Sequence, residues 1–334
     1  MAFFLNTGIN AQNTGLRVLS QEFIFSDAPF SQCHASTLAE MNNGDILAAW
    51  FGGSFEGAKD VCIWGSLQHD GKWLSPFRIV CGKTVEDSVT PCWNPVLFRA
   101  NDSTIFLYYK QGVSPREWQG RMVLSHDNGK TWTGPVILRG YAGPVKNKPL
   151  ITRKGTWLNP ASKESASRWQ VFIERSADQG KTWNIIPIDT MDPAKVIQPC
   201  LLSYPNGKIQ ALCRSNQNYI MESWSIDDGI TWSNLQKTDL PNPNSGIDAI
   251  TLDSGLQLLV FNPQNSGKDW WDGRNKLSIA ISADGQTWKE ICKLEDQDRG
   301  EFSYPAVIQT KDGTIHITYT YNRTQIKHIT LEVK

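Results

Sequence analysis

Six residues carry side chains suited to acid–base, nucleophilic or anion-binding chemistry: His34, Glu56, Asp60, Arg214, Arg274 and Tyr304. An imidazole titrates near neutrality and can serve as acid, base or anion ligand, so His34 is a candidate for any of these. Glu56 and Asp60 bracket Glu56-Gly-Ala-Lys-Asp60, a polar turn placed just after the strand-like run Ile46-Leu-Ala-Ala-Trp50. Arg214, in Ala-Leu-Cys-Arg, and Arg274 offer the planar fork that grips a carboxylate through two hydrogen bonds. Tyr304 lies in Gly300-Glu-Phe-Ser-Tyr-Pro305 with Arg299 and Glu301 beside it, a polar setting for a phenol. Trp93-Asn94 and Arg116-Glu117-Trp118 read as loop clusters whose indoles could stack on sugar rings. Each has an ordinary structural alternative: a core histidine, a turn aspartate, a surface ion pair worth little, an interior tryptophan. Arg323 and the polar runs Lys146-Asn147-Lys148 and Asn244-Ser-Gly-Ile-Asp248 share that ambiguity.

The elements that position these residues are strands. One motif recurs as Ser125-His-Asp-Asn-Gly-Lys-Thr-Trp132, Ser176-Ala-Asp-Gln-Gly-Lys-Thr-Trp183, Ser225-Ile-Asp-Asp-Gly-Ile-Thr-Trp232 and the shorter Ser282-Ala-Asp-Gly-Gln-Thr-Trp288. A degenerate copy runs from Ser66 to Trp73. The copies start 59, 51, 49 and 57 residues apart, and about 50 residues per unit fits a four-stranded propeller blade. The motif itself is a tight turn. The aspartate accepts from backbone amides and glycine takes the positive φ, while the tryptophan packs between sheets. Around the copies the text alternates as strands do, in Thr104-Ile-Phe-Leu-Tyr-Tyr109 and Thr314-Ile-His-Ile-Thr-Tyr319 for example. Five copies and a final unit over residues 303–334, closed by an N-terminal strand, predict an all-β, six-bladed propeller.

Composition narrows the function. Lys+Arg and Asp+Glu are both 33, so no basic excess is available for nucleic acid or an anionic membrane. No apolar run approaches the roughly 20 residues needed to span a bilayer. The seven cysteines form no CxxC pair and are expected as small buried apolar side chains. No metal or nucleotide motif appears, so no cofactor is expected. Ala2-Phe-Phe-Leu5 and the small-residue region at Ala11-Gln12 read as the back half of a secretory signal lacking its basic start. Residues 1–12 are therefore read as a signal remnant, residues 13–334 as one domain, and the location as secreted or periplasmic.

The repeated Ser-x-Asp-x-Gly-x-Thr-Trp turn resembles the Asp box of sialidases. From about residue 30 onward the chain is similar to bacterial proteins known as predicted neuraminidases or BNR-repeat proteins. The resemblance implies the following site. Arg214 and Arg274 stand where the second and third carboxylate-binding arginines belong, Tyr304 at the nucleophile and Asp60 near the acid/base. A tyrosine nucleophile is an exception among glycosidases. The chain departs from the pattern twice. His34 occupies the place of the first arginine, and Gln198 that of the glutamate that activates the tyrosine. A neutral amide takes no proton from a phenol, so the resemblance needs another carboxylate or strong local positive charge. Glu56, Glu222, Asp248 and Glu301 are the candidate carboxylates.

The leading expectation is an exo-acting glycoside hydrolase of the sialidase type that removes a terminal acidic sugar from a glycan. Tyr304, Asp60 and His34 would be catalytic. Arg214, Arg274, Glu56, Trp93, Asn94, Gln198, Asp248 and Arg116 would bind substrate. Two alternatives stay open. One cleaves uronate-containing glycans, by hydrolysis or elimination, through His34 or Tyr304. The other is a non-catalytic carbohydrate-binding propeller, which has no need of Asp60 beside His34 and Tyr304. The oligomeric state is not legible.

Overall fold

The structure is a computed structural model and describes residues 15–83, 88–101, 104–188, 195–269 and 271–333. The expected signal remnant, residues 1–12, lies outside them. The described residues contain strands and no helix, in six antiparallel sheets. Blade one comprises Gln32–Glu40, Ile46–Gly53, Cys62–His69 and an outer edge divided between Lys72–Trp73 and Phe77–Cys81. Blade two comprises Cys92–Asn101, Thr104–Gln111, Gln119–Ser125 and Val136–Ile137. Blade three is Leu150–Ile151, Trp157–Glu164, Trp169–Ser176 and Asn184–Ile188. Blade four is Val196–Ser203, Ile209–Ser215, Tyr219–Ser225 and Gln236–Pro241. Blade five is Asp248–Thr251, Gln257–Phe261, Lys276–Ser282 and Lys289–Asp296. Blade six is Phe302–Gln309, Ile315–Tyr321 and Gln325–Val333, and its fourth strand is the N-terminal Leu16–Phe23. That strand pairs from Leu16↔Val333 to Phe23↔Lys327, which closes the ring of the expected six-bladed propeller.

Each blade interface buries its own apolar cluster. Leu47, Ala49 and Phe51 of blade one meet Leu97, Leu107 and Tyr109 of blade two. Val260, Leu277 and Ile279 of blade five meet Val307, Ile317 and Ile329 of blade six. Burial on both faces explains why the inner strands read as continuous apolar runs.

The repeat turns join the third and fourth strands of their blades. In blade two, Ser125 Oγ donates to Asp127 Oδ1 at 2.9 Å, and Asp127 accepts from Thr131 N at 2.9 Å and Thr131 Oγ1 at 2.6 Å. Blades three, four and five repeat the pattern around Asp178, Asp227 and Asp284. The Thr131 hydroxyl and amide hold the Asp127 carboxyl down to about 2. Glycine is required at position 129 twice over: φ is +81°, and a Cβ there would stand 2.9 Å from Leu47 of the preceding blade. The tryptophans pack back the same way, Trp132 against the blade one–two cluster and Trp232 against the blade three–four cluster.

One cysteine pair corrects the expectation of free thiols. Cys62 and Cys81 face each other across two strands of blade one and form a disulfide. The other five cysteines are free and buried.

Candidate active site

The inner strands of blades one, two, four and six share one irregularity. Each carries a bulge, between His34 and Thr37, Trp93 and Val96, Ile197 and Cys200, and Ser303 and Ala306. Inside each bulge one residue that is not glycine has positive φ: Ala35 (55°), Asn94 (41°), Gln198 (54°) and Tyr304 (52°). Bulges break the two-residue alternation and re-aim a side chain, and strained φ values of this kind gather at functional sites. Three of the four precede proline, in Asn94-Pro95, Gln198-Pro199 and Tyr304-Pro305. Neighbouring blades hold the displaced backbone. Ser162 Oγ accepts from Gln198 N at 3.2 Å, and Asn147 Nδ2 donates to Gln198 O at 3.2 Å and Pro199 O at 3.0 Å.

Tyr304 is the centre of the arrangement. Its phenol oxygen accepts from Arg214 Nη1 at 2.6 Å, and Gln198 Nε2 stands 3.5 Å away. Arg214 Nη1 also donates to Gln198 Oε1 at 3.3 Å. Asn244 ties the two expected arginines together: its Oδ1 accepts from Arg214 Nε at 2.8 Å and its carbonyl from Arg274 Nη2 at 3.0 Å. Behind Arg274 sits Glu301, which accepts from Arg274 Nη1 at 3.1 Å, Ser303 Oγ at 2.8 Å and Arg323 Nε at 2.7 Å. Arg323 also bonds Glu56. Burial alone would raise the Glu301 carboxyl, but Arg323 first and then Arg274 hold it below its ordinary range, so it stays ionised.

The His34 ring lies 4.2 Å from the Tyr304 ring, centroid to centroid, and is buried. Its Nδ1 has no hydrogen-bond partner among the described residues. Burial, then the charges of Arg323, Arg274, Arg214 and Lys146, push the imidazole well below its usual value, so it is neutral. Lys146 sits on the axis. Its ammonium donates to Asn147 Oδ1 at 2.9 Å, to Ile247 O at 2.8 Å and to Pro305 O. Burial pushes it down to about 8.

The structure thus brings His34, Gln198, Arg214, Arg274 and Tyr304 into one cluster, with Glu56 joined through Arg323. Asp60 is exposed on the loop that also carries Glu56, and its carboxylate is fixed by Ser54 N at 3.0 Å and Ser54 Oγ at 2.6 Å. Trp93 is buried as a wall behind that loop, with Nε1 bonded to Gly112 O at 2.8 Å and its ring 6.0 Å from Phe51 and 6.1 Å from Trp118. Asn94 is buried in its bulge. Arg116 is exposed at a cavity of about 310 Å³ between blades two and three, shared with Trp118, Tyr141 and Lys163.

Two expected residues are placed elsewhere. Asp248 is buried, bonded to Lys148 Nζ at 2.5 Å and to Val307 N at 2.8 Å, and lines a separate axial cavity of about 330 Å³ with Leu38, Leu97 and Ile250. A side chain directed to the neighbouring strand and to Lys148 is a strut for blade six rather than a ligand for substrate. Glu222 accepts from Gln210 Nε2 at 2.6 Å, and the same amide donates to Gly285 O at 2.8 Å, which ties Glu222 to the turn of blade five. The sequence reading gave Asn244 no role of its own and passed over Glu164. Burial raises the Glu164 carboxyl, partly offset by Arg214 and Arg116, which places its charge near both arginines.

A family of BNR repeat-like domains matches residues 44–317 of the chain. An anhydrosialidase of Macrobdella decora is 24% identical over 247 residues, which is 65% of this chain and 32% of that protein. The chain spans about a third of the length of the curated relatives it matches. Among solved structures, a protein of unknown function from Dyadobacter fermentans superposes with a TM-score of 0.77 at 17% identity, covering 96% of this chain and all of its own. The intramolecular trans-sialidase of Ruminococcus gnavus gives 0.73 at 15% identity, covering 93% of this chain and 97% of its own.

Proposed function

We propose, from the premise that this chain belongs to the BNR repeat-like family of the sialidase superfamily, that it is an exo-acting glycosidase cleaving a terminal acidic sugar. The relatives carry names of sialidases and a trans-sialidase. The observation that carries the reading is the 2.6 Å hydrogen bond from Arg214 to the Tyr304 phenol oxygen, with Arg274 held beside it through Asn244.

In this reading Arg214 and Arg274 bind the substrate carboxylate. The Tyr304 oxygen gives up its proton to solvent and attacks the anomeric carbon, and the bond to the leaving glycan oxygen breaks. Asp60 gives that oxygen a proton, then takes one from the water that releases the sugar from Tyr304. Neither partner of the phenol is a carboxylate. Activation comes instead from positive charge: the cations that hold His34 neutral also stabilise the anion developing on the phenol. The Cys62–Cys81 disulfide supports a secreted or periplasmic setting.

A second reading rests on His34. A neutral imidazole with an unpartnered Nδ1 beside Tyr304 could take a proton next to a uronate carboxylate and eliminate the neighbouring sugar. Product analysis separates the two. Sialosides and uronate-containing oligosaccharides are incubated with wild type, Tyr304→Phe and His34→Ala, and products are identified by mass spectrometry. Free acidic sugar that disappears in Tyr304→Phe supports the glycosidase. An unsaturated uronate that disappears in His34→Ala supports elimination. Binding without turnover on every substrate would sink both in favour of a lectin.

A further inference from the structure

We propose that Lys146 is a positioning residue for Tyr304: a buried cation behind the root of its ring that supports negative charge on the phenol where a glutamate base is missing. The inference rests on the reading of Tyr304 as nucleophile.

Three observations carry it. First, the ammonium is fully specified as a cation. Its acceptors are Asn147 Oδ1, Ile247 O and Pro305 O, three acceptors for three N–H protons. A neutral amine has two N–H groups and would leave one buried acceptor unpaired. Second, no carboxylate is among those partners. Asp248, the acid whose charge acts on Lys146, is itself bound to Lys148 at 2.5 Å. A buried charge without a bonded counter-ion is unfavourable for folding, so its retention points to use of its field. Third, the Lys146 stem and the Tyr304 ring both pack against Gly246. A Cβ on Gly246 would stand 3.3 Å from Lys146 Cε and 3.3 Å from Tyr304 Cγ. Only glycine leaves that space clear. The bond to Pro305 O also pins the bulge that aims the tyrosine.

The field reaches the site, since His34, on which Tyr304 packs, is acted on by Lys146 as well as by three arginines. The charged groups around Tyr304 are Arg214 from blade four, Arg274 from blade five, Arg323 and Glu301 from blade six, Glu56 from blade one and, through its interaction with Arg214, Glu164 from blade three. Three arginines face three carboxylates in this set, and the buried Lys146 adds the cation that tips the balance to positive.

The test uses a readout that needs no substrate. Tetranitromethane nitrates ionised phenols, and peptide mass spectrometry follows Tyr304 alone. Lys146→Met and Lys146→Gln should each slow nitration of Tyr304 about 30-fold at neutral pH. Turnover of an acidic glycoside should fall in step, in kcat, with KM within about threefold. Rates within threefold of wild type in either folded variant would overturn the proposal, as would a rise in KM with kcat unchanged. Lys146→Gln keeps two N–H donors should Lys146→Met not fold. In wild type alone, nitration of Tyr304 no faster than that of the half-buried Tyr219 also overturns it. Full turnover in Tyr304→Phe would instead remove the nucleophile reading, while the nitration comparison still judges the field on the phenol.

Discussion

Arg214 Nη1 donates to the phenol oxygen of Tyr304 at 2.6 Å, linking blade four to blade six past the intervening blade five. The two residues are 90 positions apart and meet only because the ring closes. The contact gives one arginine two tasks, holding a substrate anion and stabilising charge on the tyrosine.

Replacing Arg214 should therefore damage both binding and chemistry. Arg214→Met loses the bonds to Asn244, Gln198 and Tyr304. Charge-assisted bonds of this kind are worth about 1.5–3 kcal/mol each, so KM should rise at least ~10-fold and kcat should fall as well. Arg214→Lys should rescue little, because one ammonium cannot reproduce the fork. Steady-state kinetics in which Arg214→Lys matches wild type would contradict the shared role.

Asp60 is exposed and, among the described residues, bonded only to Ser54, as suits a group that exchanges protons with a leaving oxygen. Asp60→Asn should lower kcat/KM by about 10²–10⁴ on natural glycans, the usual size of general acid catalysis. It should have little effect on the first step with a nitrophenyl leaving group. Equal losses on both substrates would mean that Asp60 is not the acid.

Asp248 gives the opposite expectation. Asp248→Ala strips the half-buried Lys148 of its partner and leaves the buried Val307 N unpaired. Stability should drop by about 3–5 kcal/mol, read as a lower denaturation midpoint, while KM for the folded fraction stays near wild type. A selective rise in KM at unchanged stability would return Asp248 to the substrate.

Acid should loosen the closure of the ring. His316 packs against His328 with Nδ1 and Nε2 3.0 Å apart, and Glu22 of the N-terminal strand and Trp73 of blade one meet the same His328. Burial, then the charge of His328, lowers His316 to about 4 from an ordinary 6.5, with Asp312 opposing. Below pH 6.5 the unfolded chain takes a proton that the folded chain refuses. Stability is thus full above pH 6.5 and declines toward pH 4, by about 3 kcal/mol from this group. His34 acts in the same direction. Thermal unfolding at pH 7.5 and 4.5 should show a smaller acid loss in His316→Phe than in wild type. Identical losses would remove His316 from the account.

The fold was legible because its signals are local. A Ser, an Asp, a Gly and a Thr within one turn define each repeat, and the spacing counts the blades. All five clustered residues were legible through similarity, but their contacts were not. Asn244 joins Arg214 to Arg274 partly through its main-chain carbonyl, which no residue type announces. Lys146 and Asp248 belong to similar polar runs, yet one faces Tyr304 and the other braces blade six. Strand alternation does not decide this, because the bulges at Gln198 and Tyr304 interrupt it. The Cys62–Cys81 pair depended on register at a divided blade edge and had no sequence sign.

The most direct test is capture of the sugar on Tyr304. Wild type is treated with a 3-fluorosialosyl fluoride and, separately, a 5-fluorouronosyl fluoride, reagents that slow release of a covalent intermediate, and digested for peptide mass spectrometry. The account predicts a single sugar adduct on Tyr304 from one reagent, formed more slowly in Arg214→Met. Turnover of the parent sugar with no adduct on Tyr304, or with the adduct on another residue, would contradict it.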